Sequence, residues 1–363
     1  MTGFAGLRIG LVGPLPPPAG GMAMQTRQLA ELLSAAQAQV TLVQTNAPYK
    51  PAFVAGWPGL RALFRLLPYL GALWRTAGRS DVMHLMANSG WSWHLFAAPA
   101  IWIARWRRVP LVVNYRGGEA GTFLARSKRV VQASVRRAAR LIVPSGFLRQ
   151  VFGEHGMTAD VVPNIVDLAR FRPADAEPVG APRLLVARNL EPIYDNATAL
   201  RAFALVLRAR PDVRLTLAGT GPEGQMLQAL AQELGVAAQV DFAGRIDRET
   251  MAALLRESRV AINPSLVDNM PNSVLEALAS GVPVVSTRVG GVPFIVEHEV
   301  SALLVPPQDP QAMADAVLRL LGDAPLTARV RAAGLEEARR YSWDRVAPVL
   351  AAVYHDALAG RAA

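Results

Sequence analysis

Two carboxylates, Asp268 and Glu276, lie on either side of a predicted helix start in the stretch from Asn263 to Val285. A short apolar run just before this stretch favours a buried strand. Pro271 suits the first position of a helix, because the N–H that proline lacks has no partner there. Gly281 suits the left-handed residue that follows a helix end. The pattern predicts a strand, an acidic loop and a helix, in that order.

The amides of Asn272, Ser273 and Val274 are predicted to be unpaired donors at this helix start. Together with the positive end of the helix dipole, they favour an anion. Carboxylates beside an anion site need a reason, because they repel the anion. One reason is a phosphate ester that also carries hydroxyl groups, as a sugar nucleotide does. The alternative is an ordinary strand–helix–strand crossover in which Asp268 lies in the capping region.

Length and composition limit the class of protein. A chain of 363 residues favours two domains, and an apolar fraction of 52% supports large cores. The chain contains no cysteine, which excludes disulfides, thiolate metal ligands and a cysteine nucleophile. The N-terminal apolar run lacks the features of a secretory signal, so we interpret residues 7–12 as a first strand and expect a cytoplasmic protein.

The net charge of +10 is concentrated in the first half of the chain. Residues 1–175 contain 20 Arg and Lys against 7 Asp and Glu, whereas residues 176–363 contain 18 against 21. The asymmetry suggests that the first half faces phospholipid, a lipid-linked phosphate or nucleic acid; an arginine-rich composition without a function is the alternative. The aromatic residues lie in apolar helical runs rather than among basic strands, which argues against nucleic acid.

Two stretches rich in tryptophan and arginine lie in this basic half. From Phe53 to Trp74 apolar residues recur at helical spacing among arginines, and Pro68 is predicted to bend or divide the helix. A basic helix with tryptophan can lie in an anionic membrane interface, whereas the alternative is a helix packed on the sheet. Trp91 to Trp106 has 16 residues and is too interrupted for a membrane span, which needs about 20 apolar residues, so sheet packing is favoured there.

Strands alternate with helices along the whole chain, which predicts an α/β fold with parallel, doubly wound sheets. Residues 172–182 are rich in proline and alanine and are typical of a linker, after which the pattern restarts. We predict two Rossmann-like domains, 1–174 and 175–342, and a last helix, 343–361, that can pack back on the first domain. Ligands of such sheets lie beyond the carboxyl ends of the strands. In the first domain these ends carry Gly20, Gly21, Asn88, Arg116, Gly117, Glu119 and Ser145.

Taken in order, the motifs of this chain resemble those of the retaining glycosyltransferases of family 4, of GT-B fold. They are the P…GG loop ending at Gly21, VPNIVDLARF (162–171), LAGTGPE (217–223), DFAGRI (241–246) and INPSLVDNMPNSVLEALASGVPVVSTRVGGVP from Ile262. The resemblance covers nearly the whole chain. It implies two parallel sheets that face each other across a cleft, and sugar transfer from a UDP or GDP donor to a glycan or lipid-linked acceptor. It implies no metal or other cofactor.

The resemblance also implies residue roles. Glu276 would hold the ribose hydroxyls, Asp268 would accept hydroxyls of the donor sugar, and Arg188 would neutralise the leaving diphosphate. The donor is expected to contact Gly219, Gly221, Arg245, Ile246, Asn269, Met270, Asn272, Ser273 and Glu276. The acceptor side is expected at Gly20, Gly21, Arg116, Gly117 and Glu119.

Some residues depart from the family pattern on the acceptor side. Arg116 stands in place of the family's acceptor-side histidine, and His84 and His94 are interpreted as structural. Arg116 together with Glu119 suggests an acceptor with phosphate or acid groups; the alternative is a surface ion pair.

The donor side departs more. Asp268 replaces a glutamate, Pro271 removes one amide, and the phosphate lysine that follows Arg188 in the family is missing. Either another arginine compensates, or Tyr194 and Asn196 bind the phosphates as neutral donors, whose hydrogen bonds are weaker. A second hypothesis is therefore a protein that has this fold but little or no transferase activity: a nucleotide-sugar-binding or assembly protein of a polysaccharide pathway.

Overall fold

A computed structural model describes residues 3–17, 20–48, 60–176 and 180–360, with the side chains of 60–63 outside the description. The chain divides into two compact units, Met1–Asn164 with Trp343–Ala363, and Ile165–Ser342. The division lies ten residues before the predicted boundary, because the segment after Asn164 packs on the second unit. There the Val166 amide donates to the Tyr341 carbonyl at 2.9 Å, and Phe171 is buried in the core.

The first unit is built on a parallel six-stranded sheet of order β2-β1-β3-β4-β5-β6. Its strands are β1 (Arg8–Gly13), β2 (Gln39–Gln44), β3 (Val82–Ala87), β4 (Leu111–Tyr115), β5 (Arg140–Val143) and β6 (Asp160–Val161). Its helices are α1 (Gly21–Ala35), α2 (Leu60–Ala77), α3 (Ala98–Trp106), α4 (Ala120–Val135) and α5 (Gly146–Glu154). Both central strands, β3 and β4, are buried along their whole length, which explains their nearly continuous apolar sequences.

Helix α2 is not divided at Pro68, contrary to one of the two predicted outcomes. Residues beside the proline are anchored: Tyr69 and Leu73 are buried in the core, and the Tyr69 hydroxyl donates to the Phe96 carbonyl at 2.7 Å. The part of the predicted stretch from Phe53 to Gly59 lies outside the described residues. Within the described part of the chain, every helix is too short or too polar to cross a bilayer.

The second unit has a parallel six-stranded sheet of order β12-β11-β10-β7-β8-β9. Its strands are β7 (Arg183–Val186), β8 (Arg214–Ala218), β9 (Val240–Gly244), β10 (Val260–Asn263), β11 (Val284–Thr287) and β12 (Leu303–Val305). Its helices are α6 (Asn196–Ala209), α7 (Gly224–Glu233), α8 (Arg248–Arg256), α9 (Asn272–Ala279), α10 (Pro310–Gly322) and α11 (Ala324–Arg339). The last helix, α12 (Trp343–Ala359), belongs to the first unit.

Strand β10 and helix α9 form the predicted strand, acidic loop and helix. Strand β7 pairs with β10, so the loops that leave their carboxyl ends are neighbours. Gly281 follows α9 with a φ of +66°, as predicted for a left-handed helix end. Pro271 is not the first helical residue: its ψ of 116° is extended, and the helix begins at Asn272. The Pro271 carbonyl accepts the first bond of the helix, from the Leu275 amide.

Candidate active site

Arg188, which follows β7, is held by groups at the end of β10 and on the loop after it. Its guanidinium forms an ion pair with Asp268, and the two side chains are only 11% and 12% exposed. Nε donates to Asn263 Oδ1 at 2.7 Å, and Nη2 donates to Ser265 Oγ at 3.0 Å. Burial lowers the pKa of Arg188 to about 10, against the opposing effects of Tyr194 and Glu276. The group therefore remains a cation at neutral pH, with a fixed orientation.

Tyr194 and Asn196, the proposed neutral substitutes for the missing lysine, have different environments. The Arg188 guanidinium lies 4.7 Å from the centre of the Tyr194 ring, a cation–π contact. Asn196 is fully buried and donates to the Asn189 carbonyl at 2.9 Å. Tyr194 thus stabilises the charge of Arg188, and Asn196 stabilises the backbone of the loop that contains Arg188.

The glycines of the LAGTGPE motif allow the loop after β8 to lie directly on the Arg188 loop. A Cβ on Gly219 would overlap the Arg188 carbonyl oxygen, and one on Gly221 would overlap that of Leu190. Two backbone bonds fasten the contact: the Leu190 amide donates to the Thr220 carbonyl, and the Glu223 amide donates to the Leu190 carbonyl. The structure therefore gives the two glycines a positioning role for Arg188.

Gly290 and Gly291 hold the backbone of Asp268 in a similar way. Gly290 has a φ of +50°, and a Cβ there would overlap the Asp268 carbonyl oxygen. The Gly291 amide donates to that same oxygen at 2.8 Å. The motif VGGVP thus fixes the carboxylate that pairs with Arg188, a role that the sequence alone did not indicate.

Glu276, in the second turn of α9, is a carboxylate in a site where burial outweighs nearby cations. Burial raises its pKa to about 7, although Arg248, Arg188 and Arg170 all act to lower it. Arg248 begins α8 with its guanidinium 5.5 Å from the centre of the Phe171 ring. The sequence motifs gave no role to Arg248 or Arg170, although Arg170 lies within VPNIVDLARF and Arg248 lies two residues after DFAGRI.

The start of α9 differs from expectation in one respect. The Val274 amide, predicted to be unpaired, donates to the Pro271 carbonyl at 3.2 Å. Ser273, half-buried at the second helical position, has a buried Oγ without a hydrogen-bond partner among the described residues. A donor at a helix N-terminus that lacks a protein partner suits an anionic oxygen.

The remaining predicted donor residues have contrasting exposures. Arg245 is exposed just beyond β9, and Ile246 packs partly buried against the core. Asn269 is buried, and Met270 is part of that same core. Met270 therefore stabilises the loop, and among the predicted donor residues the structure pairs Arg188 with Asp268, within electrostatic range of Glu276 on α9.

On the predicted acceptor side, Arg116 is not part of a surface ion pair with Glu119. Its guanidinium is partly buried and donates to Gln25 Oε1 at 2.6 Å, to Asn114 Oδ1 at 3.0 Å, and to Asn164 Oδ1. Burial lowers the pKa of Arg116 to about 10. Glu119 is exposed at the residue before α4. The cation is thus oriented by three side-chain amides rather than by a carboxylate.

The Arg116 contact also determines the proton position on His84. Arginine only donates, so Asn114 must present its oxygen to Arg116 and its NH₂ to His84 Nε2, 3.0 Å away. Nε2 is then the acceptor, and Nδ1 carries the proton that is donated to the Tyr354 hydroxyl at 2.8 Å. Burial and the charge of Arg116 lower the pKa of His84 to about 3, so the ring is neutral. This is the structural role expected for His84.

The three glycines expected on the acceptor side have two kinds of surroundings. A Cβ on Gly20 or Gly21, at the start of α1, would meet no described atom within 4 Å. A Cβ on Gly117 would lie 2.7 Å from the Tyr115 hydroxyl oxygen. Gly20 and Gly21 therefore leave space for a ligand, whereas a side chain at Gly117 would require its neighbours to shift. Among the described residues, no group of three or more His, Asp or Glu side chains could hold a metal ion.

Two family models match the chain in succession. The model described as Glycosyltransferase Family 4 matches residues 19–170, and the model described as Glycosyl transferases group 1 matches residues 181–323. Glycogen synthase of Mycobacterium tuberculosis is 30% identical over 290 residues, which are 76% of this chain and 69% of that protein. D-inositol 3-phosphate glycosyltransferase of Streptomyces avermitilis is 34% identical over 231 residues, 58% of this chain and 49% of that protein. The chain thus spans about half the length of that relative.

Solved structures share the fold. Sucrose-phosphate synthase from Thermosynechococcus elongatus superposes with a TM-score of 0.78 at 21% identity, over 97% of this chain and 99% of that one. Anabaena HepE in complex with UDP gives 0.75 at 18% identity, over 95% and 99%. Two Rossmann-like units, each with a parallel six-stranded sheet, give the chain the GT-B fold. The chain belongs to glycosyltransferase family 4, within the group 1 glycosyl transferases.

Proposed function

We propose that this chain is a retaining glycosyltransferase that moves a sugar from a nucleoside diphosphate donor to a glycan or lipid-linked acceptor in polysaccharide or glycolipid synthesis. The observation that carries the proposal is the buried cation Arg188, oriented by Asp268, Asn263 and Ser265 on the segment that leads into α9. A fixed cation next to a helix N-terminus is suited to the charge that develops on a departing diphosphate.

In the proposed reaction, the bond between the anomeric carbon and the diphosphate oxygen breaks, and its electron pair stays on the diphosphate. Arg188 stabilises that charge, which is largest as the bond breaks, so its binding energy lowers the barrier rather than only the KM. The acceptor hydroxyl oxygen bonds to the anomeric carbon on the same face, and its proton leaves with the nucleoside diphosphate. We propose that Asp268 orients Arg188 and accepts a donor-sugar hydroxyl.

The nucleoside end of the donor is assigned to Glu276. A carboxylate can accept two hydrogen bonds from the vicinal hydroxyls of a ribose. Arg248 and Arg170 lie within electrostatic range of Glu276, and we propose that they supply part of the positive charge that the missing lysine would have provided. UDP-sugars are the first candidates, since the solved HepE complexes contain UDP and UDP-glucose. We propose that no metal is needed, because arginine and the helix start supply the positive charge.

The test is a panel of UDP- and GDP-sugars incubated with the purified chain and with membranes and glycans of the producing cell. We expect release of one nucleoside diphosphate, transfer that a chelator does not reduce, and a higher Tm with the same nucleotide. If no donor is cleaved and no nucleotide raises the Tm, the proposed function is wrong. Nucleotide binding without turnover, together with unchanged cellular function of Arg188→Ala, would favour the assembly protein instead.

A membrane-facing role of the first unit is the second part of the proposal. Phe64, Leu67 and Trp74 form one exposed apolar stripe on α2, with Leu67 59% and Trp74 47% exposed. Arg107 lies 4.9 Å from the Trp74 ring, and Trp106 beside it is 65% exposed. Apolar and aromatic groups among arginines are the composition that binds the interface of an anionic bilayer. We propose peripheral contact at the cytoplasmic face of the membrane.

Vesicle sedimentation tests this contact. The chain should bind vesicles containing phosphatidylglycerol more strongly than neutral ones, and salt should weaken the binding. Leu67→Ser with Trp74→Ser should reduce it several-fold. Met226→Ser, at an exposed apolar residue of the second unit, is the matched control and should bind as before. Equal binding by all variants, or no preference for anionic vesicles, would overturn the contact.

A further inference from the structure

Four buried polar side chains lie behind Arg188, at the carboxyl ends of β10 and β11. They are Asn263, Ser265, Ser286 and Thr287, and each is at most 2% exposed. Asn263 and Ser265 contact the guanidinium, whereas the other two belong to the neighbouring strand and contact Asn263 and Ser265. Burying polar groups is costly unless they are hydrogen-bonded, so the directions of the bonds in this cluster matter.

Ser286 contacts Asn263 because β10 and β11 are parallel strands in which these two residues are paired. Asn263 Nδ2 donates to Ser286 Oγ at 2.9 Å, and Ser286 Oγ donates to the Thr287 carbonyl at 3.2 Å. A carbonyl can only accept, so the hydroxyl proton of Ser286 is used in that bond. The Ser286 oxygen is therefore left as an acceptor for the NH₂ group of Asn263.

These directions decide which end of the Asn263 amide faces Arg188. With its NH₂ group toward Ser286, the amide turns Oδ1 toward the guanidinium. There Oδ1 accepts from Arg188 Nε at 2.7 Å and from Ser265 Oγ at 3.0 Å. Arginine can only donate, so the opposite orientation would place donor against donor. Ser286 thus fixes the amide in the one orientation in which it can hold Arg188.

Thr287 acts on the other residue that holds the guanidinium. Its Oγ1 donates to the Ser265 carbonyl at 2.6 Å, which fastens the backbone at the start of the loop after β10. From that backbone, Ser265 Oγ accepts from Arg188 Nη2 at 3.0 Å. The two hydroxyls of β11 therefore support the two neutral acceptors of the guanidinium, one each.

We propose that these two hydroxyls make Ser286 and Thr287 positioning residues for Arg188. The consequence for catalysis rests on the proposed transferase function, whereas the orientation of the guanidinium does not. A cation held by oriented acceptors need not rearrange when charge develops on a leaving group, and such preorganisation lowers the barrier. Without the Ser286 hydroxyl, the amide that holds Arg188 is free to rotate, and the cation loses its fixed orientation.

The Nε–H proton of Arg188 reports this orientation by NMR of the full chain with isotope-labelled arginine, and its signal is identified by its loss in Arg188→Lys. In Ser286→Ala, we expect this proton to exchange with water several-fold faster, because its bond to Asn263 Oδ1 opens more often. The kcat for the donor should fall by about 10–100-fold with little change in KM, as expected for a misplaced group. Thr287→Val, which keeps the shape of the side chain, should change exchange and kcat in the same directions.

Ser258→Ala is the matched control. Ser258 is a buried serine of the same unit whose hydroxyl donates to the Leu254 carbonyl at 2.6 Å, but it lies before β10 rather than at its carboxyl end. Its loss should lower the Tm and leave both kcat and the exchange at Arg188 unchanged. A role of Ser286 in stability alone would give this same result.

The proposal is overturned if folded Ser286→Ala keeps either the wild-type exchange rate or the wild-type kcat. If Ser286→Ala does not fold, as judged by circular dichroism, the same criteria apply to Thr287→Val. Absence of donor cleavage by the wild-type chain is instead a failure of the proposed function. In that case the exchange rates alone decide whether the β11 hydroxyls orient Arg188.

Discussion

The Tyr354 hydroxyl oxygen lies 2.8 Å from His84 Nδ1, although 270 residues separate them along the chain. This bond joins the last helix to the central strand β3 inside the first unit, and both side chains are fully buried. From His84 the hydrogen bonds continue through Asn114 to Arg116. The C-terminal helix therefore helps to orient the cation on the predicted acceptor side.

Tyr354→Phe should destabilise the first unit. The substitution leaves the Nδ1–H of His84 buried and unpaired, which costs about 1–3 kcal/mol. Urea unfolding followed by tryptophan fluorescence measures the loss. Tyr341→Phe, in the second unit, removes a hydroxyl that donates to Glu337. A smaller effect is expected there, because the Glu337 carboxylate is partly exposed and keeps its ion pair with Arg340. Equal losses for the two variants would contradict the special role of the Tyr354 bond.

Arg188→Lys should lower kcat/KM for the donor by about 10²–10³-fold, the effect of removing one well-placed transition-state donor. Lysine keeps the charge, but it cannot donate simultaneously to Asn263, Ser265 and Asp268 as the guanidinium does. Steady-state kinetics and nucleotide titration measure the change. Arg201→Lys, on the exposed side of α6, is the control and should be neutral. Wild-type kinetics for Arg188→Lys would exclude Arg188 from the reaction.

Nucleotide affinity should depend on pH through Glu276. Its folded pKa of about 7 lies above the ordinary carboxyl value, so at pH 5–6 the group holds a proton and accepts ribose hydroxyls less well. Affinity for UDP should rise by up to tenfold per pH unit toward pH 7 and then level off. Glu276→Gln should remove this part of the dependence. The phosphates of UDP titrate equally with the wild-type chain and with Glu276→Gln, so the ratio of the two Kd values reports Glu276 alone. A ratio that stays constant with pH would contradict the assignment of Glu276 to the ribose.

The raised pKa of Glu276 also predicts how the stability of the folded chain changes with pH. Between the ordinary carboxyl value and pH 7, the folded chain keeps a proton on Glu276 that the unfolded chain has lost. The contribution of this group to stability is therefore greatest at low pH and falls as the pH rises toward 7. A carboxylate that costs stability when ionised is expected where function, rather than folding, determines the residue type.

Gly219→Ala should weaken donor binding because it displaces the Arg188 loop. The added Cβ overlaps the Arg188 carbonyl, so the loop must shift, at a cost of about 1–3 kcal/mol. Gly224→Ala is the matched control, because its Cβ would lie 3.7 Å from a Leu190 methyl, an ordinary contact. Thermal unfolding and UDP titration of both variants check the prediction. Wild-type values for Gly219→Ala would show that the loop tolerates the displacement.

Local patterns in the sequence predicted the strands, helices and turns, because these depend on residues that are close together in the chain. Alternating apolar runs predicted the parallel strands, and the stretch around Asp268 predicted β10, α9 and the Gly281 helix end. The errors were also local. Pro271 lies before the helix instead of in it, and the Val274 amide has a backbone partner, because the precise φ and ψ of a helix start are not encoded in residue types alone.

Contacts between distant segments could not be predicted in this way. Asp268 pairs with Arg188, 80 positions earlier in the chain, and this contact is additional to the sugar contact expected for Asp268. Arg170 and Arg248 approach Glu276 from two other segments, and a histidine interpreted as structural, His94, lines a cavity. For these side chains, neither the residue type nor the neighbouring sequence indicates which distant residue lies beside them.

The sequence by itself determined the family, the two parallel sheets and the loops at whose ends chemistry can occur, because hydrophobic period and motif order are properties of adjacent residues. Tertiary structure alone decided which charges meet there. Strand order places the loops after β7 and β10 side by side, so burial and pairing across 80 residues set the orientation of Arg188 and Asp268. Those energies depend on distance and exposure, which only the packed fold defines.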